Sequence, residues 1–228
     1  MMIKQAFDAV LAQIETARQV SPAPAETVRL VAVSKQQPDE KITQALATGH
    51  RLFGENRVQE ATQRWAHRRA SHPDLILHLI GPLQSNKAGE AVALFDVIES
   101  VDRPKIAQAL AKEMAKQDRH LPCFIQVNTG LEPQKSGIAP AETEAFVTYC
   151  RDELGLSVIG LMCIPTADEE AAMHFALMKK LAKNCGLAHL SMGMSSDFET
   201  AISFGADYVR VGSALFGERL PRQNHDHS

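Results

Sequence analysis

Paired cysteines, long apolar runs, an excess of charge of one sign and glycine-rich nucleotide loops are all missing from this sequence. Its four cysteines, Cys123, Cys150, Cys163 and Cys185, show neither a C-x-x-C pair nor metal-ligand spacing with histidine. That sets aside a disulfide scaffold and a zinc module, and leaves reduced thiols in a cytoplasmic protein as the expectation. No apolar stretch reaches the length of a bilayer span, and the N-terminus has no signal-peptide core. With 24 basic against 27 acidic residues the net charge is −3, which provides no electrostatic footprint for nucleic acid or an anionic membrane. Neither G-x-G-x-x-G nor G-x-x-x-x-G-K-[ST] occurs, which counts against the doubly wound sheet that is the second choice of fold.

What is present is enough apolar material, 45% of 228 residues, to bury a sizeable core. Ile3, Phe7, Val10, Ile14 and Ala17 share one helical face, which predicts an amphipathic helix over 1–20. From Val28 onward eight short apolar runs alternate with helical patterns. The runs are 28–35, 51–55, 75–81, 97–101, 123–128, 157–164, 189–192 and 208–211, and helices are expected at 39–48, 57–69, 86–94, 103–117, 141–152, 168–184 and 196–204. Gly49, Gly155, Gly186 and Gly205 stand where helix ends favour a left-handed residue. Eight strands alternating with helices predict one (β/α)8 barrel with an extra N-terminal helix, a single domain over 1–228. Residues 21–25 read as a connector, and 218–228 as a short polar tail. Its His225 and His227 read as part of a frayed end and not as a metal site. Arg64, His67, Arg68 and Arg69 are expected on a solvated helix face.

Lys35 closes the first strand, at the end where barrels place their chemistry. A lone buried ammonium is costly, so a lysine there is a candidate Schiff-base former, although for this residue taken alone a packed stem with a hydrated head is the favoured reading. Other strand ends carry Glu55 and Asn56, His78 near Gly81, Asp102, Asn128, Ser195 and Ser196, then Arg210 with Gly212 and Ser213. Alternation puts Val31, Val33 and Lys35 on one face, as it does Phe124, Gln126 and Asn128, and Tyr208, Arg210 and Gly212. The segments after strands seven and eight join serines to helix starts, the usual phosphate position of the barrel. An amine facing such a cradle suggests a phosphorylated carbonyl ligand.

Six segments in order, VAVSK, FGENRVQE, HLIGPLQSNK, QVNTGLEPQKSGI, GLMCIP and LSMGMSSDFETAISFGADYVRVGSALFG, resemble the pyridoxal-phosphate homeostasis proteins. The resemblance implies a fold-type III pyridoxal-phosphate barrel, similar to the N-terminal domain of alanine racemase. It implies pyridoxal 5'-phosphate as cofactor, held on Lys35 as an internal aldimine. Arg210 is then expected to face the pyridine nitrogen, and Ser195, Ser196, Gly212 and Ser213 to hold the phosphate. Asn56 is expected near the ring, with His78 also at the cofactor, and Met162, Asn128 and Lys87 lie in family motifs without a specific role. Arg57 departs from the aromatic residue more usual after GEN.

A guanidinium beside the pyridine nitrogen disfavours its protonation and makes the cofactor a poor electron sink. The expectation is therefore a non-catalytic protein that stores, buffers or delivers cofactor, monomeric and cytoplasmic, with apo-enzymes as partners and no nucleic acid, membrane or metal. The alternative is an amino-acid racemase of the alanine-racemase type, which needs two bases. Tyr149 lies on a helix, Tyr208 at the far end of strand eight, and the C-terminal domain that supplies the second base in alanine racemases is not seen here. Cys163 is the remaining substitute. A cofactor-free Schiff-base aldolase fits the cradle but not the motifs. Lys135, in the loop after strand five, is a candidate secondary acceptor for the aldehyde.

Overall fold

The computed structural model describes residues 2–22 and 24–217. Eight parallel strands close a barrel in chain order: β1 (Arg29–Val33), β2 (Leu52–Glu55), β3 (Ile76–Leu79), β4 (Val97–Val101), β5 (Cys123–Val127), β6 (Val158–Cys163), β7 (His189–Ser191) and β8 (Tyr208–Val211). Each expected apolar run contains one of them. β8 returns to β1, with Val31 opposite Arg210 and Ala32 opposite Val211. Such runs are continuous rather than alternating because helices cover the outside while side chains fill the inside.

Helices α1 (Ile3–Val20), α2 (Asp39–Ala47), α3 (Val58–Trp65), α4 (Ala88–Leu94), α5 (Pro104–Gln117), α6 (Thr143–Thr148), α7 (Ala171–Asn184), α8 (Phe198–Ser203) and α9 (Ser213–Phe216) form the outer layer. α1 buries Ile3, Phe7, Val10 and Ile14 as expected, and the Phe7 ring meets Phe216 edge-on at 6.1 Å. Gly49, Gly155, Gly186 and Gly205 all have positive φ, as helix-end glycines should. The largest departures from expectation are in α6, α3 and α9. α6 passes into a π-helical turn at Tyr149–Glu153, and α3 stops at Trp65, four residues short of the predicted end. α9, in a segment expected to be loop, is four residues long and so shorter than any periodicity can reveal.

The basic cluster at and just beyond the end of α3 corrects another expectation, because of its members only His67 is exposed and the three arginines do not make a solvated face. Arg64 pairs with buried Glu55 at 2.7 Å, Arg69 with Asp96 at 2.7 Å, and Arg68, itself buried, lies 3.3 Å from Asp39. Long guanidinium side chains leave an amphipathic helix at its edge and reach back to carboxylates of neighbouring elements. Helical spacing reports the direction of a Cβ, not where a long side chain ends.

Inside the barrel the layers alternate by strand position. Tyr208, Phe124, His78 and His189 gather their rings in a lower layer, with Tyr208 to Phe124 centroids 5.5 Å apart. Arg210 and Ser191 lie two residues beyond Tyr208 and His189 on the same strands, roughly 7 Å higher, with Glu99 hydrogen-bonded to Ser191 and Met162 opposite it. This upper layer is the floor of the site.

Candidate functional site

At the carboxyl ends of the strands a cavity of about 310 Å³ is lined by Lys35, Asn56, Ser195, Ser196, Arg210, Gly212 and Ser213, with Val33, Ile80, Ile164 and Met194 supplying apolar wall. A larger concavity, about 860 Å³, lies on the outside against α1, α2 and α9. The smaller cavity is the candidate, because it is where an amine, a guanidinium and three hydroxyls converge.

Lys35 is half-buried and lies two residues past the end of β1, in the turn and not in the strand it was expected to close. The turn beyond it is set by Gln36, which has a left-handed φ of 59°, a conformation costing an ordinary residue about 1–2 kcal/mol. Its neighbours hold that turn. The Ser34 hydroxyl donates to Glu55 Oε1 at 2.7 Å, Arg64 to the same oxygen at 2.7 Å, and the Trp65 indole at 3.0 Å. Arg64 also donates to the Gln37 carbonyl at 3.1 Å. Glu55, beside Asn56 in sequence, therefore points outward between barrel and α3, anchors the lysine turn, and does not line the cavity. Gly54 faces inward, and its neighbour across the pleat must face out.

Asn56 is held by a close backbone approach. A Cβ on Gly81 would stand 2.4 Å from the Asn56 carbonyl oxygen and 2.6 Å from its Cα. Asn56 Oδ1 is buried without a hydrogen-bond partner, which marks it for a ligand or water. Gly81→Ala is expected to displace Asn56, cost about 1–3 kcal/mol by overpacking and weaken ligand binding. Thermal melts and ligand titration check this, and a variant with wild-type values in both would sink it.

On the opposite side the Gly212 N–H donates to Ser195 Oγ at 3.3 Å, joining the loops after β7 and β8. Met194 N–H donates to Asp197 Oδ1 at 2.6 Å, which turns that carboxylate back toward its own loop. Within the protein a Cβ on Gly212 would meet only Val33, at an ordinary 3.4 Å. Protein packing alone does not require glycine there. Ser195 and Ser196 precede α8 rather than opening it, while Ser213 is the first residue of α9.

Arg210 is buried beneath the cavity. Its Nη1 donates to Ser191 Oγ at 2.7 Å and its Nη2 to the Cys163 carbonyl at 2.7 Å. The Cys163 thiol is pushed up to about 12 by burial, with Arg210 opposing, which favours the protonated form at neutral pH.

His78 does not line the cavity. β3 alternation brings Ile80 to the mouth and leaves His78 a layer lower, with its Nδ1 2.5 Å from Glu99 Oε1. Asn128 pins its own loop by donating to the Glu132 carbonyl at 2.8 Å. In that loop Lys135 pairs with Glu132 at 2.5 Å and donates to the Pro165 carbonyl at 3.1 Å. Met162 is wholly buried, and Lys87 pairs with Glu90 at 2.8 Å. Asp102, at the end of β4, pairs with Arg103 at 2.6 Å, and burial pushes its carboxyl up. Tyr208 is in the lower ring layer with Arg29 over its face at 5.2 Å, and Tyr149 accepts from Gln108 on the outside. His225 and His227 lie outside the described residues. All four cysteines are free thiols. Among the described residues no helix is long and apolar enough to cross a membrane.

The family model of the alanine racemase N-terminal domain matches residues 6–220. The chain is 39% identical over 227 residues to the pyridoxal phosphate homeostasis protein of Vibrio cholerae, covering 95% of this chain and 96% of that one. Identity to the protein of the same name from Pseudomonas aeruginosa is 43% over 217 residues, covering 92% and 93%. Among solved structures, PipY of Synechococcus elongatus with pyridoxal phosphate bound superposes with a TM-score of 0.77 at 38% identity, covering 90% of this chain and 99% of that one. Alanine racemase from Corynebacterium glutamicum, at 22% identity and a TM-score of 0.66, covers 96% of this chain and 63% of its own, and shares the fold.

Proposed function

The chain belongs to the pyridoxal phosphate homeostasis protein family, and from that premise we propose that it holds pyridoxal 5'-phosphate at the mouth of the barrel, tethered by Lys35, to store, buffer or deliver it. The observation that carries this reading is the single cavity that gathers the Lys35 amine, the Arg210 guanidinium and the hydroxyls of Ser195, Ser196 and Ser213. Bound there, pyridoxal phosphate supplies an aldehyde that an amine can hold as an imine and a ring that withdraws electrons.

The residues present fit that group. Lys35 supplies the amine, and the anchored turn around it limits where the amine can reach. Ser195, Ser196 and Ser213 offer hydroxyls to a phosphate, and the missing side chain of Gly212 leaves its backbone open to one. Asn56 also lines this space and has a buried Oδ1 with hydrogen-bonding capacity to spare. Arg210, always charged, keeps N–H groups beyond the two already used, and these would meet the ring nitrogen of the bound group. It opposes protonation there and so weakens the ring as an electron sink.

The same residues favour holding over turnover. Racemisation needs a base on each face of the substrate carbon. Among the described residues lining the cavity there is no tyrosine, histidine, cysteine or carboxylate, and Cys163 beneath it is a firm thiol. We read the protein as a cytoplasmic monomer and 1–228 as one cofactor-binding unit, with apo-enzymes as recipients. The match over 96% of the length of its Vibrio relative supports the single unit.

Purified protein loaded with pyridoxal phosphate is expected to absorb as an imine, and borohydride followed by mass mapping should put the adduct on Lys35. No imine absorbance, or an adduct elsewhere, refutes the tether. Deuterium incorporation and enantiomer exchange with alanine and serine separate carrier from racemase. Turnover in the usual enzymatic range, roughly 1 to 1,000 per second, would overturn the carrier reading.

A further inference from the structure

Behind Arg210 runs a buried hydrogen-bond chain that cavity lining alone does not require. Arg210 donates to Ser191 Oγ at 2.7 Å, and the Ser191 hydroxyl reaches Glu99 Oε2 at 2.6 Å. Serine has one O–H, so accepting from the guanidinium and donating to the carboxylate is the arrangement that satisfies both contacts. The other carboxylate oxygen lies 2.5 Å from His78 Nδ1. Glu99 Oε2 and Arg210 Nη1 are also 3.9 Å apart as an ion pair. All four side chains are buried, and they come from β3, β4, β7 and β8. Four strands thus converge on one chain that no local turn would create. Branched apolar side chains are the ordinary filling of such a barrel, and a buried carboxylate is expensive unless well partnered.

We propose that Glu99 is the positioning residue for Arg210: through Ser191 it fixes the guanidinium plane under the cavity, and as a buried counter-charge it sets how positive Arg210 is to a bound ring nitrogen. The inference rests on the cofactor reading above and deepens it. His78 acts one step further back, holding the carboxylate, which accounts for its place in a family motif without a place in the cavity wall. Removing the negative charge leaves the guanidinium field uncompensated, so the ring nitrogen becomes still harder to protonate. It also frees the guanidinium to tilt, which misaligns the N–H that meets that nitrogen.

The test uses full-length protein loaded with pyridoxal phosphate carrying 15N in the ring, comparing wild type with Glu99→Gln, which keeps the shape and removes the charge. Lys35 is not part of the chain, so the variant should still form the borohydride adduct there. Its Kd for the cofactor should rise about tenfold, the value of one charge-assisted hydrogen bond, and the ring 15N resonance should move from its wild-type position. Ser191→Ala should move both readouts the same way by less, and it carries the test alone if Glu99→Gln fails to fold. A folded variant with an unmoved resonance overturns the positioning role, whether its Kd is unchanged or raised, because a merely structural effect would weaken binding without changing the nitrogen. Wild-type protein that forms no adduct on Lys35 refutes the cofactor reading itself, an outcome distinct from the first.

Discussion

Lys35→Ala is expected to abolish the imine absorbance and the borohydride-stable adduct while leaving the barrel folded. The turn that carries Lys35 is anchored by its neighbours, through Ser34 to Glu55 and Gln37 to Arg64, so truncating the lysine side chain leaves those bonds intact. Its head is not sealed in the core, and the change in stability should fall within about 1 kcal/mol. Arg210 and the serines remain, so the variant should still bind cofactor reversibly but lose it on dialysis. Mass mapping after borohydride and thermal melts provide both readouts. An adduct that persists in Lys35→Ala would refute the tether and redirect attention to Lys135. An unlabelled Lys135 removes that residue as a secondary acceptor.

The second large effect is expected from Arg210→Met in the cofactor-free protein. Methionine fills space but removes the guanidinium charge facing Glu99, leaving the carboxylate in the barrel interior with its His78 and Ser191 hydrogen bonds, and breaking a buried pair costs about 3–5 kcal/mol. Burial alone would push the Glu99 carboxyl up, but the His78 hydrogen bond and charge, Arg210 and Ser191 together outweigh it and hold the group below the ordinary glutamate value. A carboxylate depressed in the folded state contributes stability that is present above the unfolded carboxylate range and lost as pH falls through the folded value. With Arg210 gone, the folded value of Glu99 rises, so acid unfolding should begin at higher pH than in wild type. Urea unfolding at neutral pH and an acid titration of folded signal measure the two effects. A loss below about 1 kcal/mol would mean that Glu99 does not depend on Arg210.

Much of this site was legible in the chain because the relevant information is local. Strand runs are short and β-branched, the helices between them are amphipathic, and a lysine or serine at a strand end lands on the mouth of the barrel once closure is assumed. What local pattern leaves open is depth and reach. Alternation puts His78 on the inward face but not in a layer, which depends on how β3 is staggered against its neighbours. Glu99 sits in the run Val97 to Val101 as a lone acid among apolar residues, a signal of a buried carboxylate that was available but named no partner. Arg64 and Arg69 looked like a solvated stripe because helical spacing does not register acceptors on other elements.

By itself the sequence determined the eight strands, the longer helices between them, the N-terminal helix and which polar residues stand at strand ends, since each follows from periodicity and from position relative to a strand end. The relation of Arg210 to Glu99 was decided only by tertiary structure. Those residues are separated by 111 positions along the chain, and barrel closure with its stagger alone brings Ser191 between them. The same closure places Gly81 against Asn56 and Gly212 against Ser195, contacts in which backbone meets backbone or hydroxyl and which no side-chain pattern encodes. Local chemistry chose the groups, and the shear of the barrel chose which of them touch.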